Sequence, residues 1–153
     1  MLLTQRAYAE GCRALGFYVG MQLDLAKYAD DAQAQRIGEL LTPVVKAFLT
    51  DRGLECAVLG QQVLGGHGYV KEWGMEQIVR DARIGQIYEG ANGIQAIDLV
   101  GRKVVRDGGQ TLKELIDEII ATDVDDEFAL ALRDVCERLT AVTESVVNRS
   151  KQD

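Results

Sequence analysis

The sequence predicts an all-α protein: an antiparallel helical bundle with an added C-terminal helical hairpin. Apolar residues recur at spacings of three, four and seven along almost the whole chain, and that period is typical of amphipathic helices. No segment alternates apolar and polar residues as a half-buried strand does. With 153 residues, the chain is long enough to form one domain around a single core.

The first predicted helix runs to about residue 28. Its apolar stripe consists of Leu3, Ala7, Ala14, Tyr18, Met21, Leu25 and Tyr28. Met1 already lies within this pattern with no capping residue in front of it, so we expect the chain to begin inside a helix. Asp30 and Asp31 end the first helix, and a second is predicted from about 34 to 64.

Pro43 follows Thr42 within the second predicted helix. This pair either starts a new helix, with proline at the first helical position, or marks a kink in one long helix. The helical period continues through Val45, Leu49, Cys56, Leu59 and Val63. The pair Gly65 and Gly66 then ends the helix.

Twelve of the 16 glycines lie between residues 53 and 109, where we expect the backbone to approach other groups closely. A short helix is predicted at about 75–84, and another after Gly93 that ends at Gly108 and Gly109. The first tail helix has an apolar face formed by Leu112, Leu115, Ile116, Ile119 and Ile120. The second has a seam for packing on another helix, formed by Phe128, Leu132, Val135, Leu139, Val142 and Val146. The acidic residues 123–127 are expected to cap its start.

The composition excludes several classes of function. The net charge of −7 lies mainly in the tail, because residues 109–153 contain eleven acids against five bases. No basic stripe is present, so we exclude nucleic acid as a partner. Three separated cysteines and a single histidine, His67, argue against a disulfide framework and a zinc site, and they indicate a reducing, cytoplasmic location. No apolar run approaches the roughly 20 residues that a membrane span needs.

Residues 80–95 are the most informative segment, because they place Glu89 between an apolar run and a glycine-rich loop. A carboxylate in that setting can be desolvated and act as a general base near neutral pH. On the residues alone, the more ordinary interpretation of Glu89 is a solvated loop carboxylate. For Tyr88, the alternative interpretation is an aromatic residue of the hydrophobic core. The charged residues just before this point, Arg80, Asp81 and Arg83, are interpreted as an ion-pair network that holds the loop.

The motifs QVLGGHGY at 62–69 and IYEG at 87–90 follow each other in an order that resembles the C-terminal helical domain of the FAD-dependent acyl-CoA dehydrogenases. The resemblance covers about residues 1–106. It implies α,β-dehydrogenation of an acyl-CoA thioester, in which Glu89 removes the α-proton while the β-hydrogen leaves as hydride to FAD. It also implies that Tyr88 and Gly90 approach the thioester.

The same resemblance implies a cofactor role for Gln62, Gly65, Gly66, Ala91 and Gly93. The first three match the segment that reaches the adenosine and diphosphate part of FAD bound mainly by a neighbouring subunit, although a glycine pair at a helix end is often only a cap. Ala91 replaces the family's usual threonine, whose hydroxyl lies near the flavin. The partners implied are a second copy of the chain in a homo-oligomer and an electron-transfer flavoprotein.

The resemblance divides the chain into a bundle domain at 1–108 and an acidic helical extension at 109–153 packed on the same domain. The extension resembles that of a longer subgroup, which includes the methylmercaptopropionyl-CoA dehydrogenases. The family's N-terminal helical domain, its β-barrel domain and its helix with an Arg-x-Gln-Phe-Gly motif have no match here. We therefore expect a truncated piece of such an enzyme, catalytic only with those parts. The alternative is a stand-alone, non-catalytic helical binding or oligomerisation module, and in either case we expect exposed seams to drive self-association.

Overall fold

The structure, a computed structural model, describes residues 1–122 and 128–152. Seven α-helices occur in this part of the chain: α1 Leu2–Tyr28, α2 Ala32–Val63, α3 Gly66–Tyr69, α4 Met75–Gly85, α5 Asn92–Ile97, α6 Gln110–Ala121 and α7 Ala129–Arg149. A 3-10 turn spans Lys71–Trp73, and a π-helical segment, Asp98–Val104, continues α5. The described ranges contain no β-strand, so the predicted all-α class is confirmed. The capping predicted for 123–127 lies outside the described residues.

Helices α1 and α2 pack antiparallel along their length. The Gln5 side-chain amide donates a hydrogen bond of 2.8 Å to the Cys56 carbonyl near one end of the pair. Near the other end, Leu23 packs over Gly38, where a Cβ would come within 2.9 Å of the leucine side chain. The glycine therefore permits a close approach of the two helices.

Asp31 caps α2, because its Oδ1 accepts hydrogen bonds from the backbone N–H groups of Gln33 and Ala34 at 2.9 and 3.0 Å. The helix then continues without interruption through Pro43, which is fully buried. Of the two interpretations of Pro43, the structure therefore selects a proline inside one long helix. The Thr42 hydroxyl donates to the Gly38 carbonyl at 2.7 Å just before it.

One cluster of buried side chains joins five elements of the fold. Its members are Val19, Ile37, Leu40, Leu41, Val104, Leu115 and Val147. The cluster thus contains residues of both tail helices, and two polar contacts reinforce it. Tyr18 donates to Glu118 at 3.1 Å, and Arg36 pairs with Glu114 at 3.0 Å. A domain boundary at residue 108 remains a prediction.

The apolar stripes predicted for α1 and α7 do not form the core faces of these helices. Of the seven residues predicted for α1, only Tyr18 is half-buried and the other six are exposed. On α1, Val19 and Gln22 are buried, whereas Phe17 is 72% exposed and Tyr28 is 75% exposed. The reason is that apolar residues surround more of α1 than the side that faces α2. On α7 the core side is formed by Cys136 and Val147. The seam residues Leu132, Val135, Leu139 and Val142 are exposed within the described part of the chain.

Among the described helices, none is both long enough and apolar enough to cross a bilayer.

Candidate functional site

The segment between α4 and α5 carries Glu89, and the helix before it is anchored to α2. The Lys46 ammonium donates a hydrogen bond of 2.6 Å to the carbonyl of Gly85, the last residue of α4. The chain then makes one more turn, in which the N–H of Tyr88 donates to the Ile84 carbonyl at 2.9 Å. These contacts fix the direction in which the chain leaves α4. We call residues 87–91 the Glu89 loop.

Glu89 has a backbone conformation that non-glycine residues rarely adopt. Its φ is 54°, and the following residue, Gly90, has a φ of 93°. The left-handed region costs an L-residue with a Cβ of the order of 1–2 kcal/mol, so the rest of the structure has to hold the loop in place. Part of that restraint comes from Gln95, whose side-chain amide donates to the carbonyls of Glu89 and Gly90 at 3.3 and 3.2 Å.

Asp51 connects the two ends of the Glu89 loop. Its Oδ1 accepts a hydrogen bond of 2.6 Å from the Gln86 amide, which lies just before the loop. Both of its carboxylate oxygens lie 2.9 Å from Nδ2 of Asn92, which lies just after the loop. Gln86 is itself oriented by Arg83, whose guanidinium donates to Gln86 Oε1 at 2.8 Å. The loop is therefore closed by a network centred on one α2 carboxylate.

The side chains at the tip of the loop face outward. Tyr88 is 65% exposed and Glu89 is also exposed, so the core-aromatic interpretation of Tyr88 is wrong for this chain. The desolvated setting expected for Glu89 is likewise not present in the chain by itself. Tyr88, Glu89 and Gly90 lie together at this tip, as adjacent residues of one loop, and are accessible to a ligand.

The second group of predicted site residues lies at the end of α2. Gln62, Gly65 and Gly66 are all exposed there. Gly65 has a φ of 58°, and no atom lies within 4 Å of the position that a Cβ would occupy at Gly65 or Gly66. The Gly65 N–H is already used, because it donates to the Gln62 carbonyl at 3.0 Å, so these glycines offer a diphosphate open space for close approach. The residues present therefore fit one edge of a nucleotide site.

The structure does not bring the two predicted groups together. Asp51, at the base of the Glu89 loop, and Gln62 are separated along α2 by eleven residues, which is about 16 Å at the helical rise. Ala91 and Gly93 lie on the Glu89 side, at the start of α5. One molecule in contact with both groups would have to be extended, or each group would belong to a different copy of that molecule.

The charged residues before the loop do not form the expected ion-pair network. Asp81 accepts a hydrogen bond of 2.6 Å from Gln77, and Arg83 donates to Gln86. Within the described part of the chain, none of the ion pairs includes Arg80, Asp81 or Arg83. The loop is instead held by amide and carboxylate groups, because these reach the α2 surface.

The glycine-rich turn also positions His67, to which the sequence assigned no role. Its ring packs edge-on against Trp73, with ring centroids 4.8 Å apart. In the described ranges, no group of three or more His, Cys, Asp or Glu side chains is arranged to hold a metal ion.

The sequence missed three residues that shape the site: Asp51, Asn92 and Gln95. Asp51 is 41 positions away from Asn92, and its helix carries two other acids, Glu39 and Glu55. No local spacing distinguishes it from a solvated helix residue. Asn92 and Gln95 are close to the motif, and the spacing from Glu89 to Gln95 was the one available signal, since a glutamine six residues on can turn back to the loop carbonyls.

Comparison with known proteins places this fold and loop in a family. The protein-family model described as "Acyl-CoA dehydrogenase, C-terminal domain" matches residues 6–104. That range is most of the chain and includes all but the first turn of α1, the whole of α2 to α5 and the Glu89 loop. The chain therefore belongs to the family of acyl-CoA dehydrogenase C-terminal domains, as the motifs predicted.

Several individual acyl-CoA dehydrogenases are similar in sequence to this chain. The chain is 50% identical over 126 residues to the 3-methylmercaptopropionyl-CoA dehydrogenase of Ruegeria pomeroyi, which covers 80% of this chain and 21% of that protein. It is 39% identical to a broad-specificity linear acyl-CoA dehydrogenase of Mycobacterium tuberculosis, over 77% of this chain and 20% of the relative. A butyryl-CoA dehydrogenase of Syntrophomonas wolfei is 32% identical over 84% of this chain and 22% of its own length. The chain thus spans about one fifth of the length of these relatives.

Proposed function

We propose that this chain supplies the catalytic base of an FAD-dependent acyl-CoA dehydrogenase, with Glu89 as that base. The observation that carries the proposal is the Glu89 loop itself. A carboxylate is held there in a left-handed backbone conformation, at an exposed tip, by side chains from α2 and α5. Strain of this kind is concentrated at functional positions, and the loop lies within the range that matches the family model.

In the proposed reaction, a carboxylate oxygen of Glu89 takes the α-proton of an acyl-CoA thioester. The electron pair of the broken α C–H bond becomes the new Cα=Cβ bond, and the β-hydrogen leaves with its own pair. FAD, when bound, supplies the acceptor for that hydride. Glu89 ends the step protonated and must lose the proton before the next turnover.

The neighbours of Glu89 have binding roles in this proposal. Tyr88 and Gly90 lie against the thioester, and the absence of a side chain at Gly90 permits close contact. Ala91 and Gly93 lie beside the flavin, while Gln62, Gly65 and Gly66 contact the diphosphate and adenosine part of FAD. Because the chain spans one fifth of its relatives, we propose that other domains hold most of the cofactor and the CoA moiety, and that residues 109–153 form an extension of this domain. An electron-transfer flavoprotein is the proposed final electron acceptor.

The test is a Glu89→Gln substitution in a chimera, in which this chain replaces the matching segment of the Ruegeria pomeroyi relative. Turnover of 3-methylmercaptopropionyl-CoA and of butyryl-CoA is measured with an artificial electron acceptor. Loss of a positioned base is expected to lower kcat by about 10²-fold or more, with bound FAD unchanged. Glu72→Gln, an exposed carboxylate outside the loop, is the matched control. Equal turnover of the Glu89→Gln and parent chimeras would exclude Glu89 as the base.

A second candidate function, self-association, is favoured by the exposed face of α1. A shallow apolar groove that is open to solvent lies along this one side of α1, lined chiefly by Phe17, Met21, Leu25 and Tyr28. Covering such a face with a second copy removes apolar surface from water, at about 2.5 kcal/mol per 100 Å² before association costs. We propose that the chain forms a homodimer through this groove.

Light scattering after size exclusion tests the dimer. The expected mass is twice the 16.8 kDa of one chain, and Met21→Glu is expected to reduce it to that of one chain. Ala9→Glu places the same charge on α1 outside the groove and should leave the dimer intact. A monomer at all concentrations would argue against a role in oligomerisation.

A further inference from the structure

We propose that Asp51 is a positioning residue for Glu89. This inference rests on the proposed role of Glu89 as the base and goes beyond it, because it assigns the control of the base to a carboxylate on a different helix. Asp51 does not touch the reacting atoms. It acts through Gln86 and Asn92, the residues that precede and follow the Glu89 loop.

The location of Asp51 makes it a suitable anchor. It is half-buried near the middle of α2, the longest helix, which also carries Lys46 one to two turns earlier. Lys46 holds the end of α4, and Asp51 holds both ends of the loop that follows. Residues that flank the loop are therefore hydrogen-bonded to α2 at three points: Gly85, Gln86 and Asn92.

The orientation of the Gln86 and Asn92 side-chain amides is fixed, because each of them is hydrogen-bonded to a charged group. Arg83 donates to the oxygen of the Gln86 amide, so the nitrogen of that amide is directed to Asp51. The Asn92 amide presents its nitrogen to both carboxylate oxygens, while its own Oδ1 is buried without a hydrogen-bond partner. The unpartnered oxygen is tolerated because the other end of the amide binds a charge, and charge-assisted hydrogen bonds are the stronger kind.

The consequence for Glu89 follows from its backbone. A residue at a φ of 54° returns to an ordinary conformation unless its surroundings prevent it. Gln95 restrains the middle of the loop, and Asp51 restrains its two ends. Without Asp51 the ends can separate, and the carboxylate of Glu89 is displaced from the α-carbon that it must reach. Displacements of about 1 Å are enough to lower a rate by 10²-fold.

The first experiment uses the chain itself and needs neither cofactor nor turnover. Amide hydrogen exchange is measured for peptides that cover residues 86–92 in the wild type and in Asp51→Ala. Loss of the charged acceptor is expected to accelerate exchange in these peptides by about tenfold, with exchange in α1 unchanged. The matched control is Glu55→Gln, which removes a carboxylate one turn further along α2 that pairs with Arg52 at 2.7 Å. Equal exchange of the loop in wild type and Asp51→Ala would overturn the proposal. Asp51→Asn, which keeps the side-chain volume, replaces Asp51→Ala if the latter does not fold.

The second experiment uses the chimera described above. Asp51→Ala is expected to lower kcat by about tenfold or more while KM and bound FAD change by less than about threefold. The kinetic isotope effect with an α-deuterated thioester is expected to increase, because proton abstraction becomes slower relative to the other steps. A simple loss of stability would instead reduce the amount of active enzyme and leave the isotope effect unchanged, and that result would overturn the positioning role.

A double variant tests the pair directly. In Asp51→Asn with Asn92→Asp, the carboxylate and the amide exchange places, so a charged hydrogen bond between the two positions is restored. Recovery of slow exchange and of kcat toward the wild-type values is expected, and a double variant as impaired as Asp51→Ala would count against the pair.

If Glu89→Gln keeps full turnover, the proposed base is wrong whatever Asp51 does. If Glu89→Gln is inactive and Asp51→Ala is not impaired, only the positioning role fails.

Discussion

The hydroxyl of Tyr18 donates a hydrogen bond of 3.1 Å to the carboxylate of Glu118, which joins α1 to α6 across 100 residues of sequence. Burial raises the pKa of Tyr18, and the hydrogen bond and negative charge of Glu118 raise it further. Arg36 and Glu114 make a second polar link between the bundle and α6. The tail is thus attached by polar contacts as well as by the apolar contacts of Leu115.

Removal of the Tyr18 hydroxyl is predicted to weaken this attachment. Tyr18→Phe should lower the free energy of unfolding by about 0.5–1 kcal/mol near neutral pH, because one net hydrogen bond is lost. A raised folded pKa means that the contribution is fully present below the ordinary value of 10.0 and is lost as the pH rises through the raised value. Urea unfolding at neutral and alkaline pH measures both effects.

The control for Tyr18 is Tyr69→Phe, since Tyr69 is 78% exposed. Its stability should match the wild type at both pH values. A stability difference between Tyr18→Phe and wild type that is the same at alkaline as at neutral pH would contradict the assigned link to Glu118.

Glu114 is predicted to make the stability of the chain dependent on acid pH. Hydrogen bonds from Gln110 and then from Arg36 hold the pKa of the Glu114 carboxyl below its ordinary value of 4.5. A lowered folded pKa stabilises the fold above the ordinary value, and this contribution is lost as the pH falls through the lowered one. Glu114→Gln should therefore be less stable than wild type at neutral pH, with a difference that shrinks as the solution is acidified below the ordinary pKa.

Thermal unfolding across this acid range measures the Glu114 prediction. Glu10→Gln is the control, because Glu10 pairs with Arg6 in an exposed i,i+4 ion pair on a single helix. It should change stability little at any pH. A difference between Glu114→Gln and wild type that persists unchanged into acid would show that the carboxylate charge is not what links α2 to α6.

The helices were predictable because their signals are local. Asp30 and Asp31 were predicted to end the first helix, and Gly108 and Gly109 to end the helix that precedes α6, and both helix ends were identified from neighbouring positions. Asp31 proved to be the N-cap of α2, which begins at Ala32, two residues before the predicted start. The covered faces were less predictable, because Phe17 and Val19 are both apolar and only the position of α2 decides which of them is buried. The site follows the same rule. Glu89 could be identified from a sequence motif, whereas Asp51 reaches the loop only because α2 and α4 pack together in the fold.

Gly90 is predicted to be required for the shape of the Glu89 loop. Its φ of 93° is unfavourable for alanine, and a Cβ there would lie 2.8 Å from the Gln95 amide nitrogen. Gly90→Ala should lower the free energy of unfolding by about 1–2 kcal/mol and should displace the Gln95 amide from the loop carbonyls. Chemical denaturation measures the first effect, and the NMR signals of the Gln95 side-chain amide report the second.

Gly93→Ala is the matched control for Gly90, three residues further along the chain. No atom lies within 4 Å of a Cβ at Gly93, which belongs to α5. Alanine there should leave stability unchanged or raise it by up to about 1 kcal/mol, since it restricts the unfolded chain and favours the helix. Equal destabilisation by both substitutions would show that an added carbon is as costly in α5 as in the Glu89 loop, which would argue against backbone strain as the cause at Gly90.

The last prediction concerns the cost of holding Glu89 in place. Glycine adopts a φ of 54° without the steric penalty of a Cβ, so Glu89→Gly should raise the free energy of unfolding by up to about 1 kcal/mol. Glu89→Gln keeps the Cβ and removes the charge, and it should stay within about 0.3 kcal/mol of wild type because the side chain is exposed. Asp30, whose φ is 52°, is the control in a turn without a proposed role, and Asp30→Gly should give a similar or smaller gain. Urea unfolding of the three variants measures these differences. If Glu89→Gly is the least stable of them, the strain does not lie in the backbone of Glu89, and the loop needs no external restraint to hold its carboxylate.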